Sequence, residues 1–124
     1  MRLQPHSGLC LTVLAGNAND GSPVTQQVCT GGTEQQWKFT AVAGGYLVAN
    51  VASGRCLDVW CLSQAYGAQV GLWGCNGGPN QVWATKAQGN GVAMVAKHSN
   101  QCLDIYGGFP TSGAGAIQWG AMAA

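Results

Sequence analysis

The chain repeats itself with a period of 46 residues, and no other feature constrains its fold as strongly. Three cysteines stand 46 residues apart and open the similar runs CLTV, CLDV and CLDI, at Cys10, Cys56 and Cys102. The same register continues without a gap through turns upstream and glycines downstream, at Ser7-Gly8, Ser53-Gly54, Ser99-Asn100, Gly21, Gly67 and Gly113. A fixed period of this size is the signature of a repeat architecture. The 124 residues therefore predict a single domain of three units, about 1–46, 47–92 and 93–124.

Each unit has the pattern of several short strands separated by turns. Stretches rich in β-forming residues, such as LCLTV, PVTQQV and QWKFT, alternate with turns such as TGGTEQ, which predicts about four strands per unit. Helices are not favoured, because 20 residues are glycine and Glu34 is the single glutamate. A β-propeller normally has at least about four blades. Three units instead favour an all-β barrel with pseudo-threefold symmetry, in which the units share one core.

Two further motifs recur with the same period. A second cysteine lies nineteen residues after the first in two units, and a Q-x-W motif follows it, at Cys29, Cys75, Gln35-Gln36-Trp37 and Gln81-Val82-Trp83. Together with the CLD(V/I) run, these motifs resemble the ricin-B-type lectins and related carbohydrate-binding modules over the whole chain. The resemblance implies a β-trefoil, a six-stranded barrel capped by three hairpins, with Trp37 and Trp83 in the core. It also implies sugar binding in shallow pockets, up to one per unit.

The six cysteines indicate a disulfide framework formed in an oxidising, extracellular compartment, although no secretory signal is visible at the start. Repeat symmetry favours two equivalent bridges, Cys10–Cys29 and Cys56–Cys75. In the third unit, the position equivalent to Cys29 and Cys75 is Ala121, so symmetry assigns no partner to Cys61 or Cys102. One or two free thiols buried near the core are favoured for these two cysteines over a bond between units.

Charge is scarce, at 7% of the residues with a net charge of +1, against about 25% in an average domain. No basic patch for nucleic acid is present, and no apolar run reaches the ~20 residues of a membrane-spanning helix. A hydrolase needs two carboxyl groups about 5–10 Å apart, whereas Asp58 and Asp104 are repeat equivalents and should lie in separate pockets. We therefore expect no enzyme and no cofactor. No metal site is expected either, because no C-x-x-C occurs and His6 and His98 are repeat equivalents.

Sugar recognition needs a hydrogen-bonding carboxylate or amide and an aromatic face that covers the apolar side of the ring. In the resembled lectins the carboxylate is the Asp of CLD, an aromatic residue follows about fifteen residues later, and an Asn precedes the Q-x-W motif. The second unit has all of these elements, at Asp58, Trp73, Asn80 and the neighbouring Gln81. The third unit has the first two, at Asp104 and Trp119.

Other positions are weaker candidates or have plain structural alternatives. Trp60 and Tyr106 each lie two residues after the Asp and are candidate second walls, and Tyr66 is a further candidate contact in the second unit. The two aspartates are alternatively turn-stabilising residues, and Trp73 and Trp119 are alternatively core or rim aromatics. Gly71 replaces a polar residue often found two positions before the aromatic one. The first unit lacks all three elements and is expected not to bind, at Thr12, Gln27 and Glu34.

The sequence favours a non-catalytic domain that binds a mono-, oligo- or polysaccharide or a glycoconjugate, of galactoside or xylan type. The resemblance allows either a free lectin or a module beside the catalytic domain of a secreted glycosidase. The alternative is a trefoil that binds proteins, such as an inhibitor. Three whole units would need about 138 residues, so the third is shorter than the others. We expect an incomplete sequence rather than a tolerated gap or a strand supplied by a second chain.

Overall fold

The computed structural model of the chain describes residues 3–5, 7–13, 19–88, 91–106 and 111–120. Those residues form short strands, namely β1 (Cys10–Val13), β2 (Val24–Gln27), β3 (Trp37–Val42), β4 (Gly45–Asn50), β5 (Cys56–Val59), β6 (Val70–Trp73), β7 (Trp83–Gln88), β8 (Gly91–Ala96), β9 (Cys102–Ile105) and β10 (Ala116–Trp119). Three short 3₁₀ turns lie between them, at Thr33–Gln35, Trp60–Leu62 and Pro79–Gln81. None of the helical turns in these ranges is long and apolar enough to cross a membrane.

Two kinds of antiparallel hairpin build the units. The strand that contains the CLTV, CLDV or CLDI sequence, called the CLxV run below, pairs with the next strand. These pairs are β1 with β2, β5 with β6 and β9 with β10. The strand of the Q-x-W motif pairs with the strand after it, as β3 with β4 and β7 with β8. The hairpin β1–β2 forms a two-stranded sheet of its own, and further pairs join the other hairpins into one sheet of order β10-β9-β8-β7-β4-β5-β6, with β3 on β4. The predicted four strands per unit are confirmed in the first two units.

Three isolated β-bridges join the CLxV hairpins in a ring, Pro23 with Gly71, Gln69 with Ile117 and Thr25 with Gly115. The first two bridges differ by one repeat period, and the third leads from the third unit back to the first. At each junction a glycine at equivalent positions donates its N–H to the next hairpin, from Gly21 to Leu72 O, Gly67 to Gln118 O and Gly113 to Gln26 O. These glycines have φ of +84°, +85° and +95°, a conformation that side chains disfavour. The pseudo-threefold arrangement is thus confirmed.

The core lies where the hairpins meet and contains both Q-x-W tryptophans. Trp37 and Trp83 are 1% and 0% exposed. Each indole Nε1 donates to a backbone carbonyl of the CLxV strand in the same unit, Leu11 O and Leu57 O, at 3.2 Å. Aliphatic residues of the CLxV hairpins surround them, including Val13, Leu57 and Leu72. The prediction that these tryptophans are core residues is confirmed.

The cysteines pair as repeat symmetry predicts, Cys10 with Cys29 and Cys56 with Cys75. Cys61 and Cys102 are free, so the alternative of a bond between units is wrong. The expectation of a buried thiol is wrong for Cys61, which is exposed in the turn after β5, whereas Cys102 is half-buried. Burial raises the pKa of the Cys102 thiol, and the nearby Asp104 charge raises it further.

Candidate functional site

The CLxV hairpin places an aspartate and a tryptophan on the same face of the second and third units. In β5–β6, Asp58 is paired with Gly71 and Cys56 with Trp73. In β9–β10, Asp104 is paired with Ile117 and Cys102 with Trp119. Paired residues of an antiparallel ladder point to one side, and so do residues two apart in a strand. Each Asp is therefore a diagonal neighbour of its Trp, and we call these faces the second and third pockets.

Asp58 is the buried centre of the second pocket, with 4% of its surface exposed. Its Oδ1 accepts a hydrogen bond from Asn80 Nδ2 at 3.0 Å, and its Oδ2 accepts one from Gln81 Nε2 at 2.9 Å. The structure thus brings together three of the residues singled out in the sequence. No backbone N–H is among these partners, so the turn-stabilising alternative does not describe Asp58.

The 3₁₀ turn Pro79–Gln81 positions both amides. Asn80 Nδ2 also donates to Val59 O at 3.0 Å, and Gln81 Nε2 also donates to Gly74 O at 2.9 Å. Gln81 Oε1 accepts from the backbone N–H of Asn76 at 2.8 Å. Each amide nitrogen therefore has both hydrogens engaged. The two amides fix the carboxylate of Asp58, and Gln81 also joins the loop around Cys75 to the Q-x-W turn.

The carboxyl of Asp58 titrates above its ordinary value. Burial raises its pKa from 3.8, and the hydrogen bonds from Gln81 and Asn80 oppose that rise without cancelling it. Desolvation disfavours the charged form, whereas amide donors favour it. Asp58 therefore protonates more readily than an exposed aspartate.

Trp73 forms the outer edge of the second pocket and is 44% exposed, so it is not a core residue. The loop of the preceding unit lies beside it, because a Cβ on Gly21 would lie 3.8 Å from Trp73 Cζ3. In that loop Asp20 Oδ1 accepts from Gly74 N at 2.7 Å and forms an ion pair with Arg55. The pocket is therefore built from two units, a contact that the sequence analysis missed.

Trp60 lies across Gly71 in the second pocket. A Cβ on Gly71 would overlap Trp60 Cζ2 and would lie 2.8 Å from Ser22 O. Gly71 therefore does more than remove a polar side chain. Its lack of a Cβ lets the ring of Trp60 and the backbone of Ser22 pack closely against the strand. Trp60 is half-buried over this glycine, and among the described residues its Nε1 has no hydrogen-bond partner.

The third pocket is more open. Asp104 is exposed and accepts from the backbone N–H of Ile105 at 2.8 Å, so here the turn-stabilising role is present. Trp119 is 43% exposed, and Tyr106 projects from the strand end with 61% of its surface exposed. Ile117 occupies the position of Gly71, and its Cβ stands where, in the second pocket, a Cβ would overlap the ring of Trp60. Tyr66 lies against Trp119, so it belongs to the third pocket rather than to the second.

In the first unit, the residues equivalent to those of the pockets form hydrogen bonds with other residues of the protein. Gln35 Nε2 donates to Thr12 Oγ1 at 3.1 Å, and Thr12 Oγ1 donates to Cys10 O at 2.8 Å. Gln27, at the position of the pocket tryptophans, donates to Thr25 Oγ1 and accepts from Ser112 Oγ. Thr12 thus replaces the carboxylate and Gln27 replaces the aromatic ring of the other two units. Nor do the described residues contain a cluster of three or more His, Cys, Asp or Glu that could hold a metal ion.

The chain is similar to known proteins over almost its whole length. The family model of the ricin-type beta-trefoil lectin domain matches residues 1–122. The designed threefold-symmetric protein ThreeFoil is 34% identical with a TM-score of 0.93, over 99% of this chain and 89% of that one. The exo-β-1,3-galactanase 1,3Gal43A from Clostridium thermocellum is 30% identical with a TM-score of 0.92, over 99% of this chain and 27% of that one.

A more distant similarity extends to free lectins. The ricin B-like lectin of Macrolepiota procera, solved with lactose, is 17% identical with a TM-score of 0.81, over 98% of this chain and 84% of that one. No curated protein matches the chain. The β-trefoil that the resemblance implies is thereby confirmed.

Proposed function

Because this chain belongs to the family of ricin-type β-trefoil lectin domains, we propose that it is a non-catalytic module that binds neutral glycans at its second and third pockets. The observation that carries this proposal is the repeated pair of an aspartate and an exposed tryptophan on one hairpin face, Asp58 with Trp73 and Asp104 with Trp119. A side chain as large as tryptophan, left more than two fifths exposed at two equivalent positions, is available to cover the apolar face of a sugar ring.

The hydrogen bonding of the second pocket indicates the chemistry of the ligand. Asn80 and Gln81 have both amide hydrogens engaged, so they offer no free donor. An ionised carboxylate has about four acceptor sites, and the two amides use one on each oxygen of Asp58. The pocket therefore presents acceptors, and its ligand supplies donors. Adjacent hydroxyl groups of a galactoside or a xylan-type glycan meet this requirement, whereas an anionic group would be repelled.

Several features support a binding module over an enzyme. The pair of carboxyl groups that glycoside hydrolysis requires would have to meet in one pocket, and Asp58 and Asp104 lie in separate hairpins. The related galactanase is much longer than this chain, which spans 27% of it. We therefore propose a role beside a catalytic domain or as a free lectin, in an extracellular setting suited to its disulfides.

Calorimetric titration with galactose, lactose and xylo-oligosaccharides tests the proposal. Shallow pockets should bind one of these series weakly, with Kd on the order of 1 mM, which corresponds to about −4 kcal/mol. Tryptophan fluorescence should change on binding, since both pocket indoles are exposed. Absence of heat and of any fluorescence change with every saccharide would contradict the proposal and favour a trefoil that binds proteins.

Acidification should weaken binding at the second pocket before it unfolds the domain. Burial raises the pKa of Asp58 above 3.8, so the acceptor is lost at a pH above that value. A folded-state pKa above the unfolded one means that protonating Asp58 favours the folded state. Affinity for a neutral saccharide should be measured against pH in an Asp104→Ala variant, with near-UV circular dichroism as the folding control. Constant affinity down to pH values below 3.8 would contradict this prediction.

A further inference from the structure

An exposed aromatic residue from the second unit lies beside the tryptophan of the third pocket. Tyr66 is 66% exposed, and its ring centroid lies 5.4 Å from that of Trp119, with the two planes 41° apart. Because the rings are tilted, they do not cover each other, and Trp119 also remains 43% exposed. Two neighbouring exposed aromatic rings offer apolar faces against which sugar rings can pack.

This pair occurs at one junction between units and not at the other two. The residues at the position of Tyr66 are Asp20 in the first unit and Ser112 in the third. Both are polar and bond to the next hairpin, Asp20 to Gly74 N and Ser112 to Gln27 Oε1. The tyrosine thus replaces a polar contact between units with an aromatic face.

Side chains of the third unit hold the segment that carries Tyr66. Gln118 Nε2 donates to Ser63 O and Ala65 O, at 2.8 Å and 2.9 Å. His98 Nε2 also donates to Ser63 O, and Gln101 Nε2 donates to Gln64 O, each at 2.7 Å. Ser99 Oγ donates to Gln118 Oε1 at 2.7 Å and so fixes the orientation of that amide. A surface held in place before binding loses little conformational entropy when the ligand arrives.

The second pocket has no such extension. Leu72 stands at the position of Gln118, and Asp20 stands at the position of Tyr66. Trp73 therefore offers a single exposed ring beside Asp58, whereas Trp119 continues into a second ring. Resting on the proposed function, we infer that Tyr66 is a second sugar subsite of the third pocket, which makes that pocket selective for glycans of two or more linked rings.

The inference predicts a dependence on ligand length that only the third pocket has. The Asp58→Ala background is used to weaken binding at the second pocket. In it, xylobiose and xylotriose should bind about tenfold more tightly than xylose, a difference of about 1.4 kcal/mol in binding free energy. The galactose and lactose pair provides the same comparison in the other sugar series. Trp73→Ala serves as a second background in case the first variant does not fold.

The substitution Tyr66→Ser, which installs the residue of the third unit, should remove this gain and leave the affinity for the monosaccharide within about twofold. Leu62→Ser is the matched control, because Leu62 is an exposed apolar residue of the same segment. Equal affinity for mono- and disaccharides, or equal weakening of both by Tyr66→Ser, would overturn the inference and leave the proposed function intact. Absence of all saccharide binding in both backgrounds would overturn the inference together with the proposed third pocket.

Discussion

Replacing Trp83 with alanine should lower the free energy of unfolding by about 3–5 kcal/mol, the range for removing a buried tryptophan. Trp83 is 0% exposed, and its Nε1 donates to Leu57 O within the core. Truncation leaves a cavity and an unpaired carbonyl, and both costs add. Since a small domain is stable by only about 5–15 kcal/mol, this single change removes a large part of its stability. Urea denaturation followed by circular dichroism measures the difference.

Trp73→Ala is the matched control for this prediction. It removes the same side chain from a position that is 44% exposed, so its cost should be about 1 kcal/mol or less. Binding at the second pocket should be lost in this variant, whereas the fold should persist. Similar losses of stability in the two variants would show that the core does not depend on the Q-x-W tryptophan as the structure indicates.

Replacing Asp58 with alanine should weaken saccharide binding at the second pocket by about a hundredfold. Hydrogen bonds to a charged group contribute about 1.5–3 kcal/mol each, and the carboxylate is the acceptor for the sugar hydroxyls in the proposed complex. The fold should tolerate the change, because Asn80 keeps its bond to Val59 O and Gln81 keeps its bond to Gly74 O. An Asp104→Ala background isolates the second pocket, and titration calorimetry gives the affinity.

Thr12→Ala is the control for Asp58→Ala, since Thr12 is the equivalent residue of the first unit and is also buried. It should leave binding unchanged, because the first unit has no carboxylate at this position. Unaltered affinity in the Asp58→Ala variant would mean that the sugar binds elsewhere on the surface. Loss of affinity in the Thr12→Ala variant would point instead to a general effect on the fold.

The repeat predicted the architecture and much of the site, because residues at one repeat position meet the same local surroundings in each unit. The register that aligns Cys10 with Cys56 places Cys29 and Cys75 in equivalent positions, and both bridges follow. The fifteen-residue spacing from Asp58 to Trp73 spans one hairpin, which explains why both residues lie on one face. These contacts lie within one unit, so the periodic sequence is sufficient to predict them.

Other features depend on how the units pack around the pseudo-threefold axis, which local periodicity does not describe. Tyr66 belongs to the second unit in the sequence, yet its ring lies beside Trp119 of the third. The bond from Gly74 N to Asp20 also crosses between units. Symmetry was equally unable to show that Cys61 is exposed, since the other units have alanine and glycine at that position.

By itself, the sequence determined a three-unit all-β domain, its two disulfides and the pairing of Asp with Trp within a hairpin, because each of these arises from the 46-residue register. Only the tertiary structure decided what distinguishes the two pockets. Trp60 lies over Gly71 in one pocket, while Tyr66 lies beside Trp119 in the other. The physical reason is that both differences depend on side-chain packing across strands and units. At the equivalent positions 71 and 117, the exchange of glycine for isoleucine adds a Cβ where the ring of Trp60 lies in the second pocket.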